Sequence, residues 1–272
     1  MTARRWVAAV PAALVLLLAL AGPWLVVGSA SAPVGGPFQP PDAGVALGTD
    51  VLGRDVLARV LAGGRTLVLQ AAAATVLGSV IGLSVGIWTG MTHHARSARA
   101  VLRVVDGIAA VPALFLLLLL AAGLPGDDLV VAVAIAAVSI PFSIRVIRER
   151  TRTLAATDYA RDAEARGEPL TARVRFDILP GLAPVALTEA GIRFVAATQL
   201  AATAGFLGLG AGAPAANWGR MVRENSTGLA TNPLPVLVPA VLLVVLAVGV
   251  TALLDRAAET RVGGLERIGR PA

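Results

Sequence analysis

Apolar residues in this chain are gathered into six runs of roughly 20 residues, the length that a helix needs to cross a hydrocarbon core of about 30 Å. A helix on a soluble protein would instead show an apolar stripe beside a polar face. The pattern therefore predicts an all-α, polytopic membrane protein. Its predicted transmembrane helices, about six in number, cover residues 6–27, 66–91, 101–123, 129–147, 182–207 and 234–254.

The first apolar run follows two arginines and precedes small residues that resemble a leader cleavage site. The apolar part of a leader is about 7–15 residues long, and this run is longer. We therefore expect residues 1–32 to stay in the protein as its first transmembrane helix, with a cleaved leader as the alternative. The rest divides into a Pro- and Gly-rich extracytoplasmic segment (33–65), a five-helix core (66–255) and a charged tail (256–272).

Positive charge is distributed unevenly among the segments between the apolar runs. The chain has a net charge of +6, and all its Lys and Arg positions are arginines. They are concentrated at the two ends of the chain and in a central segment at about 148–180, and such residues are retained on the cytoplasmic side of membranes. We therefore predict that both termini and the central segment are cytoplasmic. Because this explains the basic character, no nucleic-acid partner is expected, although a basic chain can indicate one.

Composition also limits the chemistry that the chain can perform. The usual P-loop for ATP requires a lysine, and the chain has none; cysteine is absent as well, which removes thiolate ligands and nucleophiles. His93 and His94 are adjacent and have no carboxylate cluster beside them, so we expect no metal site. No nucleophile–base pair is evident. We expect neither a cofactor nor an enzymatic activity.

The central segment carries ordered helix start and stop signals. Thr157 can cap a short helix, and Asp158 follows it where a negative charge suits the helix dipole. Gly167 can supply the positive φ that ends this helix, and Pro169 can begin a second one. The pattern predicts a helix–turn–helix knuckle in the cytoplasm, of the kind that could receive force from a soluble partner.

This knuckle resembles the EAA loop of ABC importer permeases, whose pattern is E-A-A, three residues, Gly, nine residues and I-x-L-P. Gly167 and the pair Leu179–Pro180 keep the family spacing, whereas Arg161 and Asp162 stand where the family has the Glu and the first Ala. The loop of this family contacts the ATPase. The resemblance implies an ATPase-coupling role for Tyr159, Arg161, Asp162, Ala163, Gly167, Leu179 and Pro180.

Three further motifs resemble C-type permeases of the dipeptide, oligopeptide and nickel importers. Residues 47–59 read LGTDVLGRDVLAR, close to the signature G-T-D-x-x-G-R-D-V-L-S-R. Residues 206–210 and 218–221 resemble the segments S-F-L-G-L-G and S-W-G-x-M, with Gly205 and Asn217 in place of the two serines. The motifs follow the family order over about residues 47–255.

The resemblance implies a type I ABC importer permease in the inner membrane that forms half of a translocation path. Its expected partners are a different permease subunit in a heterodimer, two ATP-binding subunits that hydrolyse ATP, an extracytoplasmic substrate-binding protein and the lipid bilayer. A stand-alone secondary transporter or channel is the alternative, but the mid-membrane coupling groups and internal repeats of such proteins are not evident. Peptides, nickel complexes and other small solutes all stay open as cargo.

Sparse polar residues within the apolar runs are candidates for the path. Glu189 and Arg193 are four residues apart on one helix, so they can form a structural ion pair or line the path. The hydroxyl and amide groups deeper in the same run can line the path or bond between helices. The candidates are Glu189, Arg193, Thr198, Gln199 and Thr203. Separately, Gly78, Gly82, Gly86 and Gly90 recur every four residues and predict a close helix-packing face.

Overall fold

The computed structural model describes residues 3–42, 44–123 and 126–268, with the backbone alone for residues 3–9 and 253–268. This part of the chain is almost entirely helical, which confirms the predicted fold class. The helices are α1 (Ala3–Leu25), α2 (Val56–Met91), α3 (Ala95–Ala110), α4 (Ala113–Ala122), α5 (Asp128–Ala155), α6 (Asp158–Ala165), α7 (Leu170–Ala172), α8 (Leu179–Leu207), α9 (Trp218–Asn225) and α10 (Leu234–Ile268), with a π-helical segment at Arg173–Ile178 and a 3-10 turn at Ser226–Gly228.

Four described helices are long and apolar enough to cross a membrane: Val56–Met91, Asp128–Ala155, Leu170–Leu207 and Leu234–Ala252. A fifth crossing is possible if α3 and α4 together form one span, and α1 contributes a shorter apolar helix, Val10–Leu25. These segments agree with about six apolar runs. Their bounds show that residues 170–207 are one continuous helical stretch. The second helix predicted for the knuckle, which follows Pro169, therefore runs directly into the membrane helix.

The third apolar run does not form the single helix that we predicted. It is broken into α3 and α4, which meet at an angle of 92°. The break falls at Val111, whose backbone is extended (φ −77°, ψ 129°), and at Pro112, which follows it. Proline lacks an amide hydrogen and disfavours helical geometry in the residue before it, so this X-Pro step explains the break.

Helix α2 begins earlier than the predicted start at residue 66. Asp55 caps it by accepting a hydrogen bond from the Leu57 amide, 2.8 Å away, so that 36 residues are helical from Val56 onward. A helix of this length spans about 54 Å, which is well beyond the thickness of a bilayer core. The first turns of α2 therefore belong to the region that we had predicted to be a separate segment, residues 33–65.

The predicted glycine stripe packs against α5. A Cβ added to Gly86 would lie 2.7 Å from Ile147, and one added to Gly90 would lie 2.8 Å from Thr151. Gly78 faces Ser139 in the same way. In these contacts the residue numbers on α2 and on α5 increase together, so the two helices run in the same direction. Because the glycines of α2 have no side chains, the two backbones can approach closely.

Helices α1 and α8 run antiparallel to this pair, and the long helices together enclose a shared apolar core. Gly22 at the end of α1 lies against the Leu61 backbone near the start of α2, and Gly181 at the start of α8 lies against Leu154 near the end of α5. The helix bundle consequently has two distinct ends. We call the end where α2 and α5 begin the outer end, and the end where they finish the knuckle end.

Candidate functional site

The predicted knuckle is present as α6, a sharp turn and α7. Thr157 occupies the N-cap position of α6, but its side chain does not cap the helix as we predicted. Its hydroxyl donates instead to the Leu154 carbonyl, 2.6 Å away in the last turn of α5. The reason is that only Ala156 separates α5 from Thr157, so the Leu154 carbonyl, which also accepts from the Thr157 amide at 3.1 Å, is within reach of the hydroxyl.

Gly167 ends α6 with the positive φ that the sequence predicts, +77°. Its amide donates to the Glu164 carbonyl at 2.9 Å, and the amide of Glu168 donates to the Ala163 carbonyl at 3.1 Å. This pair of bonds is a Schellman motif, which satisfies the last carbonyls of a helix. The side chain of Glu168 also accepts from Arg166 at 2.7 Å, and this hydrogen bond raises the pKa of the Arg166 guanidinium.

The short helix α6 buries a narrow side and exposes the rest. Ala160 and Ala163 are buried, whereas Tyr159, Arg161 and Asp162 are exposed. The Tyr159 hydroxyl donates to the carbonyl of Asp177 at 2.8 Å, which ties α6 to the π-helical segment. Two of the predicted coupling residues, Arg161 and Asp162, therefore present charge outward, while Ala163 serves packing.

The knuckle is joined to the membrane helices by a small apolar cluster. Ile178 and Leu182 pack with Ile147 and Leu154 of α5, and all four side chains are buried. Leu179 and Pro180 lie between the first two as the beginning of α8, and both are exposed. Motion of the knuckle would thus be transmitted directly to α5 and α8.

A single carboxylate connects the knuckle with the loop that follows α2. The two oxygens of Glu164 face His93, 3.0 Å from Nε2, and Arg173, 2.8 Å away. His93 and Arg173 also line a hollow of about 460 Å³ at this end of the molecule, together with Trp88 and Leu170. No pattern in the sequence predicts that His93 lies beside the knuckle.

The predicted path residues separate into two groups. Glu189 is buried on α8 and forms an ion pair with Arg193, with 2.8 Å between the carboxylate and Nε. The hydroxyl of Ser143 on α5 donates to the same carboxylate at 3.2 Å, and the Arg193 guanidinium lies 5.2 Å from the centre of the Phe142 ring. The predicted pair is therefore confirmed as a contact, and α5 supplies partners that sequence spacing could not reveal.

The second group lies further along α8, from about one and a half to about three turns beyond Arg193. Thr198, Gln199 and Thr203 line a common hollow of about 290 Å³ between α8 and α10, with Leu243 and Ala247 on the opposite side. Both threonine hydroxyls donate to carbonyls of their own helix, at 2.8 and 2.9 Å. Because these bonds use the protons of both hydroxyls, the Gln199 amide is the side-chain donor that these three residues offer to a solute or a neighbouring helix.

At the outer end, the motif at residues 47–59 folds around a buried carboxylate. Asp50 is fully buried and lies 2.7 Å from Nε of Arg54 and 3.2 Å from Nε of Arg59, which are themselves buried. Its other oxygen accepts from the amides of Leu52 and Arg54, both at 2.9 Å. A carboxylate with so many donors holds the whole turn in a fixed shape.

Helix α9 completes this arrangement from a distant part of the sequence. Glu224 lies 3.3 Å from both arginines, and the side-chain oxygen of Asn225 accepts from the Val51 amide at 2.9 Å. We call Asp50, Arg54, Arg59 and Glu224 the Asp50 network. Sequence analysis recognised the motif but assigned no contact to these residues. The available signal was the concentration of charged residues beside a membrane helix.

The two departures from the family's serine motifs compensate each other. Asn217 caps α9, and its side-chain oxygen accepts from the Gly219 amide at 2.9 Å. That oxygen occupies the space where a side chain at position 205 would begin, so that Gly205 leaves room for it. A larger capping residue at one position is matched by a glycine at the other. Trp218 follows the cap and is fully buried, with its indole donating to the Val60 carbonyl at 2.8 Å.

Comparisons with known proteins agree with this geometry. Residues 82–262 match the model of a family described as binding-protein-dependent transport system inner membrane component. A probable D,D-dipeptide transport system permease protein of Escherichia coli, DdpC, is 32% identical over 77% of this chain and 70% of its own length. The dipeptide transport system permease protein DppC of Alkalihalophilus pseudofirmus is 33% identical over 77% of this chain and 69% of its own length.

Among solved structures, the chain is similar to one from the inward-facing MetNI methionine ABC transporter. The TM-score is 0.62 and the identity 21%, with 74% of this chain and 95% of the other covered. At this identity the likeness shows the fold alone. The helical arrangement described above is therefore shared with a chain of that transporter.

Proposed function

Because this chain belongs to the family of binding-protein-dependent transport system inner membrane components, and so is a permease subunit of an ABC importer, we propose that its cargo is a peptide. Several of its relatives are named as permeases of dipeptide or di/tripeptide transport systems. Nickel complexes, which the motif at residues 47–59 also allows, are the alternative cargo. The membrane is the inner membrane, as the family description states.

The proposed contact with the ATP-binding subunits rests on one observation, the exposed charged surface of α6, which neighbouring residues hold in a fixed position. The Schellman turn at Gly167 and the bond from Tyr159 to Asp177 hold α6 in place, while Arg161 and Asp162 are left exposed. Leu179 and Pro180, the first residues of α8, connect this region to the membrane helix. These are the features that a soluble ATPase needs in order to push on a membrane domain. We assign the contact with the ATP-binding subunits to this surface.

We assign contact with the cargo to the side of α8 that faces α10, and a positioning role to the side that faces α5. The hollow lined by Thr198, Gln199 and Thr203 faces α10, and we propose that Gln199 contacts the cargo or the paired permease there. The Glu189–Arg193 pair is bonded to α5 through Ser143. In that position it orients α8 relative to α5 near the knuckle, so we assign it a positioning role.

The complete importer would contain a second, related permease, two ATP-binding subunits and a substrate-binding protein. The family is named for its dependence on a binding protein. We further propose that the knuckle end is cytoplasmic, because the arginine-rich segments collect there. The outer end, with the Asp50 network, then faces the binding protein.

Co-purification tests the assembly. The tagged full-length chain is extracted from membranes of its own host, and bound proteins are identified. We expect a second permease and a P-loop ATPase, and no nucleotide binding by the chain purified alone. Peptide uptake by vesicles that contain this chain without any ATPase would instead support a stand-alone transporter and would refute the proposal.

Topology is tested separately. A reporter that is active only in the cytoplasm is fused after Ala272, and a second fusion is made within the segment 33–42. We expect activity from the first fusion and none from the second. The reverse result, with both proteins inserted at normal abundance, would move the knuckle to the other side of the membrane and exclude ATPase contact there.

A further inference from the structure

Helix α3 has a surface that the transport function does not use. Only Ala98 and Val105 of this helix are buried. Arg96, Arg99 and Arg103 are exposed, and at about 100° per residue they fall within an arc of roughly 60° on the helix surface. Val104 and Ile108 are also exposed, at 65% and 37%, and lie about 120° further round the helix. α3 is therefore amphipathic. Its basic face and the apolar face formed by Val104 and Ile108 are both exposed.

The bend between α3 and α4 turns this helix away from the direction of the membrane helices. The two helices meet at 92°, and the elbow at Pro112 and Ala113 lines a hollow of about 210 Å³ together with Val138 and Phe142 of α5. α3 consequently lies nearly perpendicular to α4 and does not continue in its direction. A helix so placed and so divided into faces is typical of the membrane–water interface.

The depth of α3 follows from its contact with α5. Asp106 lies 2.6 Å from Arg145, which is 17 residues beyond Asp128 at the start of α5, or about 26 Å along that helix. A hydrocarbon core is about 30 Å thick, so this pair lies near its edge at the knuckle end. The three arginines precede Asp106 and lead back toward the loop after α2. They therefore lie at the level of the lipid headgroups.

We propose that Arg96, Arg99 and Arg103 form a binding site for the headgroups of anionic phospholipids, while Val104 and Ile108 enter the acyl region beside them. Opposite charge and the matching depth both favour lipid as the occupant. Asp106, the acidic residue of α3, is neutralised by Arg145 and does not oppose the binding. The site would hold the elbow of α3 and α4 at a fixed depth beside α5.

The test uses the absence of cysteine from the chain. Val104→Cys introduces one attachment point for a fluorophore at the acyl level. The labelled full-length chain is placed in nanodiscs that contain phosphatidylcholine and phosphatidylglycerol. Bromine, which quenches the fluorophore on contact, is carried by the acyl chains of one lipid or of the other, at the same mole fraction of brominated lipid.

We expect bromine on phosphatidylglycerol to quench at least about twofold more than bromine on phosphatidylcholine, because each arginine near a surface favours anionic lipid. The preference should fall with added salt. Arg96→Gln combined with Arg103→Gln should abolish it. The matched control, Arg150→Gln with Arg152→Gln, removes two exposed arginines at the end of α5 and should preserve it.

Two results would overturn the proposal. Equal quenching by the two lipids in the chain with all its arginines would show that the surface has no preference for anionic headgroups. Protection of the label from both lipids, once the partner subunits are added, would show that this face of α3 is covered by protein. Correct insertion is verified in each case by the same topology reporter.

Discussion

Around Asp50, charged side chains are buried and paired with one another, whereas on α6 the charged side chains point outward. Asp50, Arg54 and Arg59 are each at most 2% exposed, and their contacts reach Glu224 across about two thirds of the chain. On α6 the buried side chains are two alanines, and Tyr159 is 51% exposed. The two regions lie at opposite ends of α2 and α5.

The difference indicates which region is complete by itself. A buried ion-pair network must satisfy its charges within the chain, since removing one partner leaves an uncompensated buried charge. The knuckle buries few side chains, and its few contacts orient an exposed surface. We therefore interpret the outer region as a fixed support for the transmembrane helices and the knuckle as an incomplete surface that a partner covers.

The largest effect should come from breaking the Asp50 network. Asp50→Asn keeps the shape of the side chain but removes one of the two carboxylates that face Arg54 and Arg59. We expect a loss of about 3 kcal/mol or more in the free energy of unfolding. Thermal unfolding of the detergent-solubilised chain, measured as Tm, reports it.

The control lies in the same motif. Asp55 caps α2 and has a partly exposed side chain. Asparagine caps helices about as well as aspartate, so Asp55→Asn should leave Tm nearly unchanged. If the two variants lost the same stability, burial of charge at Asp50 would not be what distinguishes the outer region.

A smaller effect is expected from the compensating pair at the start of α9. Gly205→Ser forces a side chain against the Asn217 amide and should cost about 1–3 kcal/mol. Adding Asn217→Ser restores the family's two serines and should recover most of that loss, because serine is also a good cap. A double-mutant cycle on Tm measures this coupling. Strictly additive effects would contradict the compensation.

The smallest effect is expected at the knuckle. Tyr159→Phe removes one hydrogen bond from a half-exposed side chain to the Asp177 carbonyl, which is worth about 1 kcal/mol. We expect faster amide hydrogen exchange in α6 and no change in Tm. A drop in Tm comparable with that of Asp50→Asn would show that the knuckle is as integral to the fold as the outer network.

Much of this architecture could be predicted because membrane helices leave strong local signals. The apolar runs, the glycine stripe from Gly78 to Gly90 and the positive φ at Gly167 all depend on nearby residues or on the bilayer. The break at Pro112 was also visible in the sequence, but run length alone favoured a single span. The early start of α2 was missed because its first turn carries Arg59, which looks too polar until its partners are known.

The contacts that could not be predicted join distant parts of the chain. Nothing local pairs Glu224 with Arg54 and Arg59, or Ser143 with Glu189. Thr157 was misassigned for a related reason, since its hydroxyl had a choice between its own helix and the end of α5. The spacing of four between Glu189 and Arg193, in contrast, was sufficient to show that the two side chains could form an ion pair, with lining of the path as the alternative.

Two glycine substitutions test directly whether the knuckle couples ATPase to transport. Gly167 and Gly126 both have positive φ, +77° and +90°, and open space around the missing side chain, but they lie at opposite ends of the molecule. Valine strains either backbone. ATPase association and peptide uptake are measured at equal membrane abundance, with Arg161→Ala as a milder change on α6. We predict that Gly167→Val lowers both quantities, whereas Gly126→Val leaves ATPase association intact. Normal association and uptake in Gly167→Val would contradict the account.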